Sequence, residues 1–328
     1  MNHYTSRAYA GAPDLKLLIE FAEQAAKARW PRSTYKKVGD MVWGTPGLGS
    51  NANIQLWFDA SGLVAYGWFE PPLNLDFDIR PGLALYDSVG TEILTWAESR
   101  ARDLARAGKQ TIPKAWAMLG YETVVLTAAL DSDNQRLSLL DSNGFRRTDG
   151  FEVLFARSLN DPIAPPELDR SLRLRHATDT DLEARVDVHR DAWSVWGPSA
   201  ATVENYSRLR SASVYDPELD VVLEDASGRF LSYCIGWLDI ANGFGHFEPV
   251  GCRPDFTRRG YARAVTLEGM RRMRARGMHT ALVSTAGVNA RARVLYPSCG
   301  FVEMDRAHHY TKSVSSMRAV ESANGSET

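Results

Sequence analysis

The chain has 328 residues, 44% of them apolar and 24% charged, and 38 Lys and Arg against 40 Asp and Glu leave a formal net charge of -2. That balance sets up no global field toward nucleic acid or a membrane, so any anion site must be a local concentration of arginine. No apolar run approaches the ~18 residues of a spanning helix, MNHYTSRAYAGAPD lacks a signal-peptide core, and Cys234, Cys252 and Cys299 fit neither a disulfide framework nor a zinc site, so a reduced, cytoplasmic protein is expected, with no nucleic-acid or membrane partner.

In chain order, TSRAYAGAPDLKLLIEFAEQAA at 5–26 reads as strand, turn and helix, with Asp14 as a cap or first-turn acid. GLGSNA at 47–52 fits a dinucleotide pattern but precedes a strand, so a loop is expected. IQLWF at 54–58, DASG at 59–62 and LVAYGWF at 63–69 form a hairpin signal. LDFDIRP, ending at Pro81, reads as a third strand, YDSVGTEILTWAESRARDLARAG as a helix and TVVLTAAL at 123–130 as a further strand; DNQRLSLLDSNGF follows at 133–145. NDPIAPPELDR at 160–170 carries three prolines and little to bury.

The order then repeats. LRLRHATDTDLEARVDVHRDAW restarts strand, polar turn and helix, with Asp181 in the place of Asp14. VVLE at 221–224, DASG at 225–228 and FLSYCIGWL at 230–238 repeat the hairpin, Gly236-Trp237 matching Gly67-Trp68. FEPVGCRP, the helix RGYARAVTLEGMRRMRARG, the strand TALVST at 280–285 and NARARVLYPSCGF at 289–301 complete a second copy. Such self-similarity marks a duplicated α/β unit: residues 1–160, a linker over 161–171, and 172–328. Adjacent His308 and His309 should point to opposite faces and not share a metal; no metal is expected. DAWSVWGP at 191–198 is either core packing or a wall of a cleft.

The second copy alone concentrates positive charge. Residues 253–276 hold eight Arg against Asp255 and Glu268, an excess that the matching stretch at 80–103 lacks. A glycine at a helix start lets an anion approach backbone N–H groups without a Cβ in the way. The alternative is a surface helix with solvated arginines. RPDFTRRGYARAV at 253–265 resembles the pyrophosphate loop of the GNAT superfamily of acetyltransferases, its pattern falling on Thr257, Arg258, Arg259, Gly260, Tyr261 and Ala262. Thr257 stands where the family has a longer polar side chain. NARARVLYPSCGF resembles the family's later signature through Asn289, Ala292, Tyr296, Gly300 and Phe301.

The resemblance implies two tandem GNAT-like α/β domains, each a mixed twisted sheet flanked by helices. It implies acetyl-CoA as co-substrate in the second copy: the pantetheine arm on the backbone of Val250, Gly251 and Cys252, the pyrophosphate on Arg258 to Arg263, and Asn289 nearby. Tyr296 takes the position of the acid that protonates the departing thiolate, and a packing tyrosine is the alternative. Along the strand, alternation puts His246, Glu248, Val250 and Cys252 on one face. Glu248 is then the expected base and His246 the alternative. In the first copy Leu140 stands for Tyr296, Asp133 for Asn289 and Tyr86 for Gly260, so that copy reads as degenerate, available to shape the cleft, hold the halves together or pack a homodimer.

The expected reaction is direct acetyl transfer to a primary amine of a small molecule. Rival readings are an idle acyl-CoA-binding or sensing protein, or a transferase acting on a sugar amine, as mycothiol synthases do, on an aminoglycoside, or on a protein N-terminus.

Overall fold

The computed structural model describes residues 4–32, 34–44, 53–109, 123–197, 199 and 201–314. GLGSNA lies outside them. The first half runs β1 (Thr5–Ala8), α1 (Ala12–Arg29), α2 (Val38–Gly44), β2 (Ile54–Asp59), β3 (Gly62–Glu70), β4 (Asn74–Ile79), α3 (Tyr86–Arg106), β5 (Val124–Leu130), α4 (Asn134–Ser142) and β6 (Arg146–Ser158). The second runs β7 (Arg173–His176), α5 (Leu182–Trp193), α6 (Val203–Arg210), β8 (Asp220–Glu224), β9 (Phe230–Asp239), β10 (Phe244–Cys252), α7 (Tyr261–Ala275), β11 (Thr280–Ala286), α8 (Ala290–Ser298) and β12 (Val302–Ser313).

The repeat reappears in local chemistry. Each DASG turn closes through its Asp, which accepts from the Ser backbone: Ser61 N to Asp59 Oδ1 at 2.7 Å, Ser227 N to Asp225 Oδ1 at 2.9 Å. Arg7 grips Asp14 at 2.6 Å as Arg175 grips Asp181 at 2.6 Å, tying the first strand of each half to the turn that starts its first helix.

The twelve strands of the described residues form one mixed sheet in the order β1-β2-β3-β4-β5-β12-β6-β11-β10-β9-β8-β7. The halves exchange their last strands. β6 pairs with β11, and β12 inserts between β5 and β6. The segment after β6 is also anchored: Leu159 and Ile163 are buried in the second half's core, and Leu168 packs on it. The expectation of little to bury there is corrected, because the prolines end the strand without taking the chain off the sheet.

A third tie is α2. A Cβ on Gly39 would lie 2.3 Å from the Trp237 ring, and one on Gly44 2.8 Å from the Trp68 ring. The two glycines let α2 wedge between the tryptophans of the repeated Gly-Trp pairs. Residues 172–328 expressed alone would leave β12 without either neighbour and bare one edge of β11. Exposed edges template aggregation, so the fragment is expected to be insoluble or aggregated by size-exclusion chromatography. A folded, active monomer would show that the exchanged strands are dispensable. Among the described residues no helix is long and apolar enough to cross a membrane.

Candidate functional site

The site begins where two parallel strands part. β10 and β11 pair only over Phe244–His246 and Thr280–Leu282. Beyond that β10 stays paired with β9 on its other side, and among the described residues its edge toward β11 has no ladder partner. A bulge between Phe247 and Val250 accompanies the parting; Pro249 has no N–H to give a ladder. The bulge corrects the one-face expectation. Phe247 and Val250 both pack with the core under α7, whereas His246 and Glu248 turn to the opposite face, toward α2. Gly251 admits the Tyr233 ring, which a Cβ would approach to 2.4 Å. The Cys252 thiol bonds the carbonyls of Arg253 and Phe256 at 3.6 Å, and burial pushes it up to about 11.

The loop after β10 delivers the start of α7. Gly260 is its N-cap at φ 81, in the left-handed region, and a Cβ there would meet nothing within 4 Å. Arg258 also takes positive φ, 63°. Both Arg258 and Arg259 are exposed and have no carboxylate partner among the described residues. Arg259 lies over the Phe256 ring at 5.3 Å, and Tyr261 stacks on that ring at 6.3 Å. Arg263 donates to the Ser298 carbonyl at 3.2 Å, and the Thr257 hydroxyl turns back to Pro254 O at 3.0 Å. Ala262 is half-buried in the first turn.

The arginine excess is smaller at the loop than the sequence count implies. Arg253, 4% exposed, is held by Asp187 and Asp191. Arg272 pairs with Glu268, and Arg276 with Asp216 and Glu218. Arg258, Arg259, Arg263 and Arg274 have no carboxylate partner among the described residues, and the first three flank the bare start of α7. That set suits a diphosphate, because backbone N–H groups, the helix dipole and guanidinium groups without carboxylate partners lie at one helix start that a Cβ would leave open.

Asp40 from α2 joins His246 and Glu248 in a group whose ligand atoms all lie within 4.8 Å of one another, compact enough to hold a cation. His246 Nε2 is 4.0 Å from Asp40 Oδ1. Glu248 is pushed up to about 8 by burial and then by Asp40, with Lys36 pulling the other way. Burial lowers His246 to about 4, so its imidazole is neutral at pH 7. Burial also pushes Asp40 up, but His246, Lys37 and Lys36 outweigh it and hold the carboxyl below its ordinary value. Tyr296, on α8, is 5% exposed, with its ring 5.7 Å from Phe155 and 5.9 Å from Phe301. Its phenol is pushed well up by burial first and by the Glu248 carboxylate next, which puts the two side chains within electrostatic reach. Asn289 caps α8, its side-chain oxygen accepting from Ala292 N at 3.2 Å.

The first half has the same parts, closed. β4 and β5 pair only at Asn74 and Leu126, but the gap between them is bridged. Arg136 is 2% exposed, donates to Phe77 O on β4 at 2.7 Å and to Thr127 Oγ1 on β5 at 3.3 Å, and lies 3.5 Å over the Phe77 ring. The gap-free alignment sets Arg136 against Ala292. β4 runs without a bulge, and Asp78, which matches Glu248 by register, is locked by Arg29 at 2.6 Å. Asp133 caps α4 as Asn289 caps α8, so that pair differs less than the sequence suggests. Helix starts align Leu85, not Tyr86, with Gly260.

The remaining candidates separate. His308 sits 3.3 Å from Asp131, while the Nδ1 of His309 lies beside Gly150. Trp193 donates to the Tyr233 hydroxyl at 2.9 Å and stacks on His189, whereas Trp196 is 56% exposed.

Residues 185–301 match the model of the acetyltransferase (GNAT) family. A mycothiol acetyltransferase of Saccharomonospora viridis is 27% identical over 186 residues, covering 53% of this chain and 60% of that protein. One from Thermobispora bispora is 26% identical over 315 residues, covering 88% and 92%. The match spans about three-fifths of the Saccharomonospora and Propionibacterium freudenreichii relatives, 60% and 62%. A GCN5-related N-acetyltransferase from Sphaerobacter thermophilus superposes with TM-score 0.64 at 20% identity, covering 96% of this chain and 97% of that one. A tandem GNAT protein from the clavulanic acid biosynthesis pathway gives 0.64 at 13%, covering 95% and 99%. Residues 185–301 thus match the GNAT acetyltransferase family, and the chain as a whole has the fold of tandem GNAT proteins.

Proposed function

We propose that the protein is an acetyl-CoA-dependent N-acetyltransferase that moves the acetyl group directly to a primary amine of a small molecule, using one site in the second half. The observation that carries this reading is the open β10/β11 gap, with the bare start of α7 at one end and Glu248 and Tyr296 in mutual electrostatic reach. The same gap in the first half is bridged by Arg136.

In this reading the unpaired edge of Val250, Gly251 and Cys252 binds the pantetheine amides. The diphosphate lies over Thr257 to Arg263, and the Asn289 amide lies beside the gap. The amine must lose a proton, and Glu248 accepts it. The nitrogen forms a bond to the thioester carbon, the C–S bond breaks, and the thiolate takes the Tyr296 proton. The phenolate is then reprotonated from Glu248 or solvent, so the net reaction is amine plus thioester to amide plus thiol. The relatives called mycothiol acetyltransferase support a second reading, in which the acceptor is of the mycothiol type.

Calorimetric titration with CoA is expected to give one site per chain. Gly260→Glu should abolish binding, because its side chain projects into the open space where the diphosphate would lie. Gly260→Asn is the control: Asn tolerates the left-handed conformation and adds no charge. Two equivalent sites, or normal affinity in Gly260→Glu, would overturn the assignment. Thiol release from acetyl-CoA across a panel of amines tests the transfer itself.

A further inference from the structure

One cluster joins the two halves through side chains and not through strands. Asp40 lies on α2 of the first half, His246 and Glu248 lie on β10 of the second, and one ligand-capable atom of each lies within 4.8 Å of the others. Each is held in place by its surroundings. α2 rests on Trp237 through Gly39, where a Cβ would come within 2.3 Å of the ring. Lys37 N donates to Asp40 Oδ2 at 2.8 Å, which fixes that carboxylate and leaves Oδ1 4.0 Å from His246 Nε2. His246 is paired on both sides, with Trp237 on β9 and Leu282 on β11. Glu248 sits in the bulge, its carbonyl accepting from Trp237 Nε1 at 2.6 Å. Among the described residues no lysine or arginine forms an ion pair with Asp40 or Glu248. Lys36 is taken by Asp76 at 2.9 Å, and the Lys37 ammonium donates to Tyr35 O at 3.4 Å.

Two carboxylates near each other need no ion. The second observation is His246. It is 4% exposed, and neither ring nitrogen has a hydrogen-bond partner among the described residues. A buried imidazole with both nitrogens unmet is costly, and a cation seated beside Asp40 would take the lone pair of one of them. The donor set narrows the ion. One imidazole nitrogen and two carboxylate oxygens, with two negative charges when ionised, suit a divalent transition ion. Zn²⁺ takes such ligands at about 2.0–2.2 Å, and sites with three protein ligands keep a further position open. Mg²⁺ and Ca²⁺ favour shells of oxygen alone. Ligand atoms around a tetrahedral Zn²⁺ lie about 3.4 Å apart, so the cluster must contract by about 1 Å, which the flexible carboxylate arms can do around the fixed ring.

We infer that Asp40, His246 and Glu248 form a site for a divalent transition cation, with Zn²⁺ the best fit, that clasps the first half of the chain to the second. Sequence spacing leads to the opposite expectation of no metal, because it sees only two alternating residues on one strand and the third ligand comes from the other half. Binding at this site does not depend on the transferase reading above; its consequence does. Under that reading the ion takes the Glu248 lone pair that accepts the amine's proton. Zinc is then a brake on the transfer and not a cofactor of it, opposing the acceptor and leaving the CoA end of the gap alone.

The test titrates zinc chloride calorimetrically into the full chain, stripped with EDTA and dialysed into a weakly coordinating buffer, and follows cobalt chloride by visible absorption. Wild type should bind one zinc per chain, and cobalt should show the intense d–d bands of a low-coordinate ion. Zinc should also raise Tm, because it binds the native state. His246→Ala and Asp40→Asn should each weaken zinc by at least about tenfold, since disturbing even the supporting shell of a metal costs that much. Cys252→Ser should bind zinc as wild type does. Glu248→Gln, which keeps the side-chain volume, stands in if His246→Ala does not fold. No stoichiometric zinc on folded wild type, affinity unchanged in the ligand variants, or affinity lost in Cys252→Ser would overturn the site. Initial rates of acetyl-CoA consumption read the consequence: zinc should suppress them and EDTA restore them, and rates unmoved by saturating zinc would overturn the brake. If no amine is acetylated at all, the transferase reading fails, and the titration still decides the metal site.

Discussion

Replacing Glu248 by Gln is expected to lower kcat by about 10²–10⁴-fold, the range for a positioned base, and to flatten the pH profile. Glu248 is raised to about 8 by burial and by Asp40, so at pH 7 most molecules hold it protonated and unable to accept. The wild-type rate should therefore climb through pH 7 to 9 and level off above the group's pKa. Asp40→Asn removes an upward contribution and should move that climb to lower pH. A glutamate serving only as an ion-pair partner would leave the profile alone.

Stability gives an independent readout. An unfolded glutamate ionises near about 4.3, whereas this one stays protonated to about 8 in the native state. Between those values the native protein binds the extra proton, so this group's contribution to stability is present below the unfolded pKa and is lost as pH rises toward 8. Glu248→Gln should therefore raise Tm at pH 7 to 8 relative to wild type and leave it little changed near pH 4. A stabilised, inactive variant separates loss of a base from loss of the fold.

The parts of this site that sequence reading reaches are those written in consecutive residues. The DASG hairpins, the loop ending in Gly260 and the run from Asn289 to Phe301 each have a local pattern, and each lies where that pattern puts it. What escapes is long-range. Asp40 belongs to a seven-residue helix with too few turns to show a period, and it reaches Glu248 only because Gly39 lets α2 lie on Trp237. The bulge that splits Phe247 and Val250 breaks the alternation used to group His246 with Cys252. Strand exchange is invisible because β6 and β12 have interchangeable local patterns, and only packing decides their neighbours. The bridge in the first half was within reach: the alignment that sets Leu140 against Tyr296 also sets Arg136 against Ala292, and an arginine where its counterpart leaves a gap is a physical signal. Arginine counting misleads for the opposite reason. Asp187, Asp191, Asp216 and Glu218 lie far from residues 253–276 in sequence and neutralise part of the excess in space.

Tyr296→Phe is expected to reduce turnover by about 10²–10⁴-fold while leaving CoA affinity nearly unchanged. The substitution keeps the ring against Phe155 and Phe301 and removes only the hydroxyl. The proton of that hydroxyl is firmly held, because burial and the Glu248 carboxylate both disfavour the phenolate. Such a phenol does not protonate the sulfur in advance. It gives up its proton only as the C–S bond breaks and negative charge grows on the sulfur beside it, which is where an acid acts on the barrier and not on binding. Gly260 and Arg258 are untouched, so the calorimetric CoA titration should overlay wild type. A hydroxyl that merely supports the fold would behave in the reverse way, lowering stability by about 0.5–1.5 kcal/mol with little effect on rate well below Tm. Acceptors with more basic nitrogens should not rescue the variant, since they speed attack and do nothing for the departing thiolate. A thioester with a more acidic leaving thiol should restore much of the lost rate. If Tyr296→Phe turns over within a few-fold of wild type while chemistry limits the rate, the thiolate leaves unaided or with a proton from water, and Tyr296 is a packing residue.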